Sequence, residues 1–170
     1  MRNGTSELNL TFRRMGSDDR REAFVLLAGL MLEDEYYRDS SPAYSGIERT
    51  RESIEATLGA ALSLFIDRPD YGFIYMAFDN DCAVACASVS YAISMSLGDV
   101  VGKIEHLVVA AGQRRRGIGT RLVEALIEHL RVIEMARLDV DVHSANEGAK
   151  TFYRGLGFEP SREERMALVL

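Results

Sequence analysis

Lys103-Ile-Glu-His-Leu-Val-Val-Ala-Ala-Gly-Gln-Arg-Arg-Arg-Gly-Ile-Gly-Thr120 is the stretch whose reading decides the fold of this chain. Its first half is β-branched and apolar, as a strand requires. Its second half is a tight loop of glycines and arginines that opens a helix. Beyond it Ile118, Leu122, Leu126 and Leu130 recur every four residues, with Val123 and Ile127 beside them, which makes that helix amphipathic. Glycine allows backbone conformations and close approaches that a Cβ would block. The first N–H groups of a helix have no partner within it, and together with the positive end of the helix dipole they form a site for a pyrophosphate.

Three kinds of phosphate loop end in such a helix. Gly112 to Gly117 has the spacing of a nucleotide-hydrolysing loop, but Ile118-Gly119 stands where Lys-Ser/Thr is required. Gly117-Ile118-Gly119 begins a dinucleotide fingerprint, but Leu122 takes the place of its third glycine. The pattern that remains is Gln/Arg-x-x-Gly-x-Gly/Ala, filled by Arg114-Arg115-Arg116-Gly117-Ile118-Gly119. Downstream, Asn146-Glu-Gly-Ala149-Lys-Thr-Phe152-Tyr153-Arg-Gly-Leu-Gly157-Phe158 fills Asn-x-x-Ala-x-x-hydrophobic-Tyr-x-x-x-Gly-Phe in full. In both motifs, their order and their separation, the chain resembles the GNAT superfamily of acetyl-CoA-dependent N-acetyltransferases. Two positions depart from the family pattern. Ala111 stands where many members have proline, and Arg115 where many have glycine. Neither change removes a backbone donor.

Outward from this segment, Leu8 to Arg14 alternates as a first strand. Ser17, Asp18 and Asp19 offer caps for a helix carrying Phe24, Leu27, Leu30 and Met31 at helical spacing. Glu33 to Gly46 reads as a frayed helix end and loop, and a second helix runs from about Ile47 to Ile66. Tyr71 to Phe78 and Cys82 to Ser94 form a hairpin across Asp79-Asn80-Asp81, and Val101 to Val109 follows as a further strand. Leu138 to Val142, Asn146 to Leu156 and Met166 to Leu170 read as strand, helix and closing strand. The fold class is α/β (α+β): a mixed, mostly antiparallel central sheet with helices on both faces and a central strand-loop-helix crossover. The GNAT resemblance implies the same architecture, in one domain spanning 1–170.

The 170 residues are 47% hydrophobic and 27% charged, as in an ordinary globular domain. No apolar run reaches the roughly 20 residues of a membrane span, and the N-terminus lacks a signal-peptide core, so the expected location is cytoplasmic. A net charge of −6 disfavours a nucleic-acid binder and slightly favours a cationic substrate. Cys82 and Cys86, four apart on one strand, are expected on the same face as buried thiols rather than as a disulfide or metal site. The sequence leaves a homodimer open.

The resemblance implies acetyl-CoA held by Leu107, Val108 and Val109 of the motif strand, by Arg114, Arg115, Arg116, Gly117, Ile118, Gly119 and Thr120, and by Asn146, which is also placed to cap the last helix. It implies an oxyanion donor at the backbone N–H of Leu107 or Val108. It makes Tyr153 the general acid for the departing thiolate, where otherwise it is a helix aromatic packing on the sheet. Glu105 is the general-base candidate, sharing a strand face with Lys103, Leu107 and Val109 and leaving His106 on the opposite one. A strand-edge salt bridge is the other reading of Glu105. Glu33, Asp34 and Glu35 beside Tyr36 and Tyr37 suit an ammonium group by ion pairing and cation–π contact, or form a solvated helix end. The expected acceptor is a primary amine on a small molecule. A protein lysine or N-terminal acceptor, and a non-catalytic acetyl-CoA-binding module, are the alternatives.

Overall fold

The computed structural model describes residues 8–33 and 50–162. Five strands lie in the order in which the chain makes them: β1 (Leu10–Arg14), β2 (Gly72–Asp79), β3 (Cys82–Ser94), β4 (Asp99–Val109) and β5 (Leu138–Val140). The first four pair antiparallel, and β5 joins β4 in parallel. The helices are α1 (Arg20–Glu33), α2 (Arg51–Asp67), α3 (Ile118–Val132) and α4 (Glu147–Gly155). Short 3-10 turns at Ser17–Asp19 and Ala111–Gln113 lead into α1 and towards α3.

Local chemistry sets these boundaries. Asn80 and Asp81 both adopt positive φ (48° and 68°), the two-residue turn that matches the twist of a hairpin. Thr50 caps α2 by accepting from the Ser53 N–H at 3.1 Å. Ahead of α1, the Asp19 carboxylate accepts from Gly16 N at 2.8 Å and from Arg13 Nη2 at 2.7 Å, so one acid ties β1 to the helix start. Arg13 in turn holds that carboxyl below the ordinary range.

The sheet is buried on both sides. One core joins Val89, Ile104, Leu122, Leu126 and Leu130 under α3. The other joins Leu26, Leu27, Leu58, Leu62, Cys86 and Val108 under α1 and α2. β2 is sandwiched between them: Phe73, Tyr75 and Ala77 face α3, and Ile74, Met76 and Phe78 face the other pair. This is why its sequence is an unbroken apolar run rather than an alternating one.

Two slips in strand pairing change which side chains face where. Ala77 lies opposite Ala85 but Phe78 opposite Ala83, so Val84 is an extra residue in β3. Ser88 lies opposite His106 but Val89 opposite Ile104, so Glu105 is an extra residue in β4. Each bulge reverses the alternation of faces beyond it. The first corrects the expectation for the cysteines. Cys86 is buried in the α1–α2 core, where burial pushes its thiol up to about 12. Cys82, across the Val84 bulge, is exposed.

β3 has the span expected from sequence, and β5 is two residues shorter than expected. Residues 47–49 of the expected second helix, and the expected strand Met166 to Leu170, lie outside the described residues.

Candidate active site

A cleft of about 360 Å³ opens where β4 hands over to α3. Leu107, Val109, Arg114, Arg115, Gly117, Ile118, Gly119 and Thr120 line it, together with Gln113 and Phe152. Gly117 caps α3 with φ 76° and offers no side-chain oxygen to the helix start. The first hydrogen bond back to it comes from Arg121 N, at 3.1 Å. The N–H groups of Ile118, Gly119 and Thr120 are therefore left for an external acceptor. A Cβ at Gly119 would make ordinary van der Waals contact with Val109 Cγ2 at 3.5 Å and the Phe152 ring at 3.8 Å.

The three arginines are not equivalent. Arg114 Nε donates to the Val109 carbonyl at 3.2 Å, which pins the loop to the end of β4. Arg116 donates to the Gln113 side chain. Arg115 sits at φ 62°, a left-handed conformation that costs a residue with a Cβ roughly 1–2 kcal/mol. That explains why glycine suits this position. Arg116 and Val108 do not line the cleft.

β4 and β5 pair only from Gly102 to Ile104, opposite Leu138 to Val140. Beyond Ile104, β4 runs on to Val109 without that neighbour, so a gap opens in the sheet beside the cleft. Ala110 N donates to Val84 O at 2.9 Å, and Cys86 lies opposite Val108. Along an antiparallel ladder the N–H groups alternate in direction. The N–H of Val108 thus points to β3, and those of Leu107 and Val109 point into the gap.

The Glu105 bulge rearranges the rest of the strand. Ser90 Oγ donates to Glu105 Oε1 at 2.8 Å, and Ser88 Oγ meets His106 Nδ1 at 3.0 Å. Ser88 and Ser90 are two apart on β3 and share a face, so Glu105 and His106 do as well. Leu107 and Val109 pack with the α3 core instead. The expected grouping is therefore corrected: Lys103 and Glu105 are together, His106 joins them, and Leu107 and Val109 are turned to the other face. Lys103 Nζ lies 2.7 Å from Asp141 Oδ2 and 3.5 Å from Glu105 Oε2, bridging the strands where they part. Burial lowers the His106 pKa; Glu105 opposes this and Lys103 reinforces it.

Tyr153 is buried on the α3 side, edge-on to Phe152 at 5.0 Å and Phe158 at 5.3 Å. Burial raises its phenol to about 12. Asn146 caps α4 by accepting from Ala149 N at 2.9 Å and does not line the cleft. Glu33 is exposed at the last residue of α1, while Asp34, Glu35, Tyr36 and Tyr37 lie outside the described residues. Sequence reasoning missed Gln113, Phe152, Ser88, Ser90 and Asp141. Phe152 was legible as the hydrophobic position of the second motif, and Gln113 lies within the glycine-arginine loop; Ser88, Ser90 and Asp141 are brought in by strand pairing.

The residues present fit acetyl-CoA: amide donors and arginines for phosphate, with Leu107, Val109 and Phe152 as an apolar lining. The fold is shared with solved structures. A possible acetyltransferase from Clostridium difficile 630 is 20% identical with TM-score 0.75, covering 96% of this chain and 99% of its own. An aminoglycoside acetyltransferase from an uncultured soil metagenomic sample is 21% identical with TM-score 0.70, covering 96% and 100%. AAC(6')-Iy, solved with the bisubstrate analogue CoA-S-monomethyl-acetylneamine, is 16% identical with TM-score 0.70, covering 95% and 99%. At these identities the likeness shows the fold alone. No curated protein matches the chain in sequence. The family model "Acetyltransferase (GNAT) family" matches residues 32–158. With both motifs lying inside that span, the chain belongs to the GNAT acetyltransferase family and is an acetyl-CoA-dependent N-acetyltransferase.

Proposed function

We propose that the protein transfers the acetyl group of acetyl-CoA to a primary amine of a small molecule, by direct attack in a ternary complex. The gap between β4 and β5 beyond Ile104 carries this reading. It has the phosphate cleft against one side of β4 and the Glu105, His106, Lys103 and Asp141 cluster against the other. Two reactants can thus approach one strand from opposite faces and be held together, which lowers the entropic part of the barrier.

Acetyl-CoA supplies the activated acetyl thioester. The amides of Ile118, Gly119 and Thr120 hold its pyrophosphate. The Leu107 N–H, aimed into the gap, donates to the thioester oxygen as charge develops there. Of the two expected donors, Val108 is spent on β3. Glu105 draws the ammonium form of the acceptor to the gap and takes a proton from it, so that a neutral amine attacks; the second proton passes from the nitrogen to solvent once the nitrogen–carbon bond has formed. Tyr153 gives its phenolic proton to the sulfur as the carbon–sulfur bond breaks. Its raised pKa keeps that proton in place at neutral pH, and the same apolar setting raises the proton affinity of a departing thiolate. In this reading Glu33, Tyr36 and Tyr37 are assigned to recognition of the acceptor's cation. The net charge of −6 supports a cationic acceptor.

Thiol release from acetyl-CoA, followed across aminoglycosides, polyamines, amino sugars, amino acids and lysine-bearing or free N-terminal peptides, tests the proposal. Saturable turnover with a small amine and only background with peptides is the expected result. Turnover confined to peptides would assign a protein acceptor, and none with any amine would leave a cofactor-binding module.

A further inference from the structure

Three arginines stand in a row beside the cleft, in a chain of net charge −6. Arg114 is tied to the Val109 carbonyl and Arg116 to Gln113. Arg115 makes no hydrogen bond or ion pair with any described residue, lines the cleft and is exposed. It also occupies the left-handed region at φ 62°, where glycine would be unstrained. A strained position kept by a charged residue that has no partner within the fold gives no return in stability. Its guanidinium is free to meet a group from outside the chain, and the chemistry it suits is a phosphate, which it can meet through two parallel hydrogen bonds.

CoA offers two phosphate groups. The pyrophosphate lies within reach of the three open amides at the start of α3, beyond the Gly117 cap. Arg115 precedes that cap by two residues and is exposed, outside the row of three amides. The group left for it is the ribose 3′-phosphate, the most highly charged on the molecule. We propose that Arg115 is the residue that selects 3′-phosphorylated CoA over its dephosphorylated form. The inference rests on the cofactor cleft assigned above.

Isothermal titration of CoA and of 3′-dephospho-CoA into the wild-type protein, Arg115→Gln and Arg115→Gly tests it. Gln removes the charge and keeps the backbone conformation; Gly removes both charge and strain. The wild type binds CoA about tenfold more tightly than dephospho-CoA, as one charge-assisted contact to phosphate warrants. Both variants lose that preference, with dephospho-CoA affinity unchanged and the melting temperature of the unliganded Gly variant at or above wild type. Three results would overturn the assignment: equal wild-type affinity for the two ligands, a preference that survives in both variants, or equal weakening of both ligands, which would move Arg115 to the pyrophosphate. Failure of both ligands to bind the wild type would instead reject the cleft itself.

Discussion

The two sides of β4 are built from different materials. Towards α3, the groups open to a ligand are mostly backbone: three amides at a helix start, placed by the left-handed Gly117 and by the Arg114 tie to Val109. Towards α1 and α2, they are side chains from three segments, with Lys103 between Glu105 and Asp141 and with Ser90 and Ser88 steadying Glu105 and His106. A backbone site tolerates changes of side chain and fails when its dihedral angles change. A side-chain site behaves the other way round. Cofactor binding and acceptor chemistry should therefore separate under mutation.

The sharpest separation is expected at Glu105. Glu105→Gln keeps the hydrogen bond from Ser90 but cannot take a proton. Its kcat/KM for the acceptor should fall about a thousandfold, within the range of lost general-base catalysis. Acetyl-CoA affinity, read by calorimetry, should not move. A near-native kcat/KM would reduce Glu105 to the strand salt bridge with Lys103.

Tyr153 probes the opposite face, where the proposed mechanism places the acid for the departing thiolate. Tyr153→Phe keeps the contacts with Phe152 and Phe158 and loses the hydroxyl. Single-turnover transfer at saturating cofactor should fall about a hundredfold. The smaller effect follows because a thiolate leaves unprotonated more easily than an amine accepts without a base. Unchanged turnover would make Tyr153 a packing residue.

The smallest effect concerns stability. Burial lowers the pKa of His106, and it lowers that of His129, with Arg14 acting in the same direction. His129 stacks on Tyr75 at 5.1 Å, and its buried Nε2 has no hydrogen-bond partner among the described residues. In the unfolded chain both imidazoles accept protons near pH 6.5. The fold resists protonation to lower pH, so stability is full above about 6.5 and falls as pH drops below it. The loss is bounded at about 1.4 kcal/mol per pH unit for each histidine. Urea midpoints at pH 7.5 and 5.5 should show the fall, and His129→Phe should shallow it. The same pH dependence in His129→Phe would exclude that ring as a contributor.

The same contrast governs what could be read from sequence. Apart from Phe152, the cleft is lined by one contiguous segment whose loop conformation is set locally, so the loop was legible in Arg114 to Thr120. The left-handed Arg115 was visible only as a departure from glycine. The acceptor face depends on an inserted residue in β4, and a bulge leaves no mark in a β-branched run. Strict alternation therefore put Leu107 beside Glu105 and His106 on the far side, and it put Cys82 with Cys86. Asp141 and Ser90 become site residues only through strand pairing across long sequence separations, which propensity does not encode.

The central claim is that acetyl-CoA binds on the backbone donors at the start of α3. Gly117→Val tests it most directly. Apart from its chain neighbours, no atom lies within 4 Å of a Cβ at this position, so the substitution acts chiefly through φ 76°, which valine resists. Calorimetric titration of acetyl-CoA should give saturable binding to the wild type. In Gly117→Val, with a native circular dichroism spectrum, binding should be at least a hundredfold weaker. Equal affinity in the two proteins, or wild-type binding of ATP or NAD as tight as that of acetyl-CoA, would contradict the account.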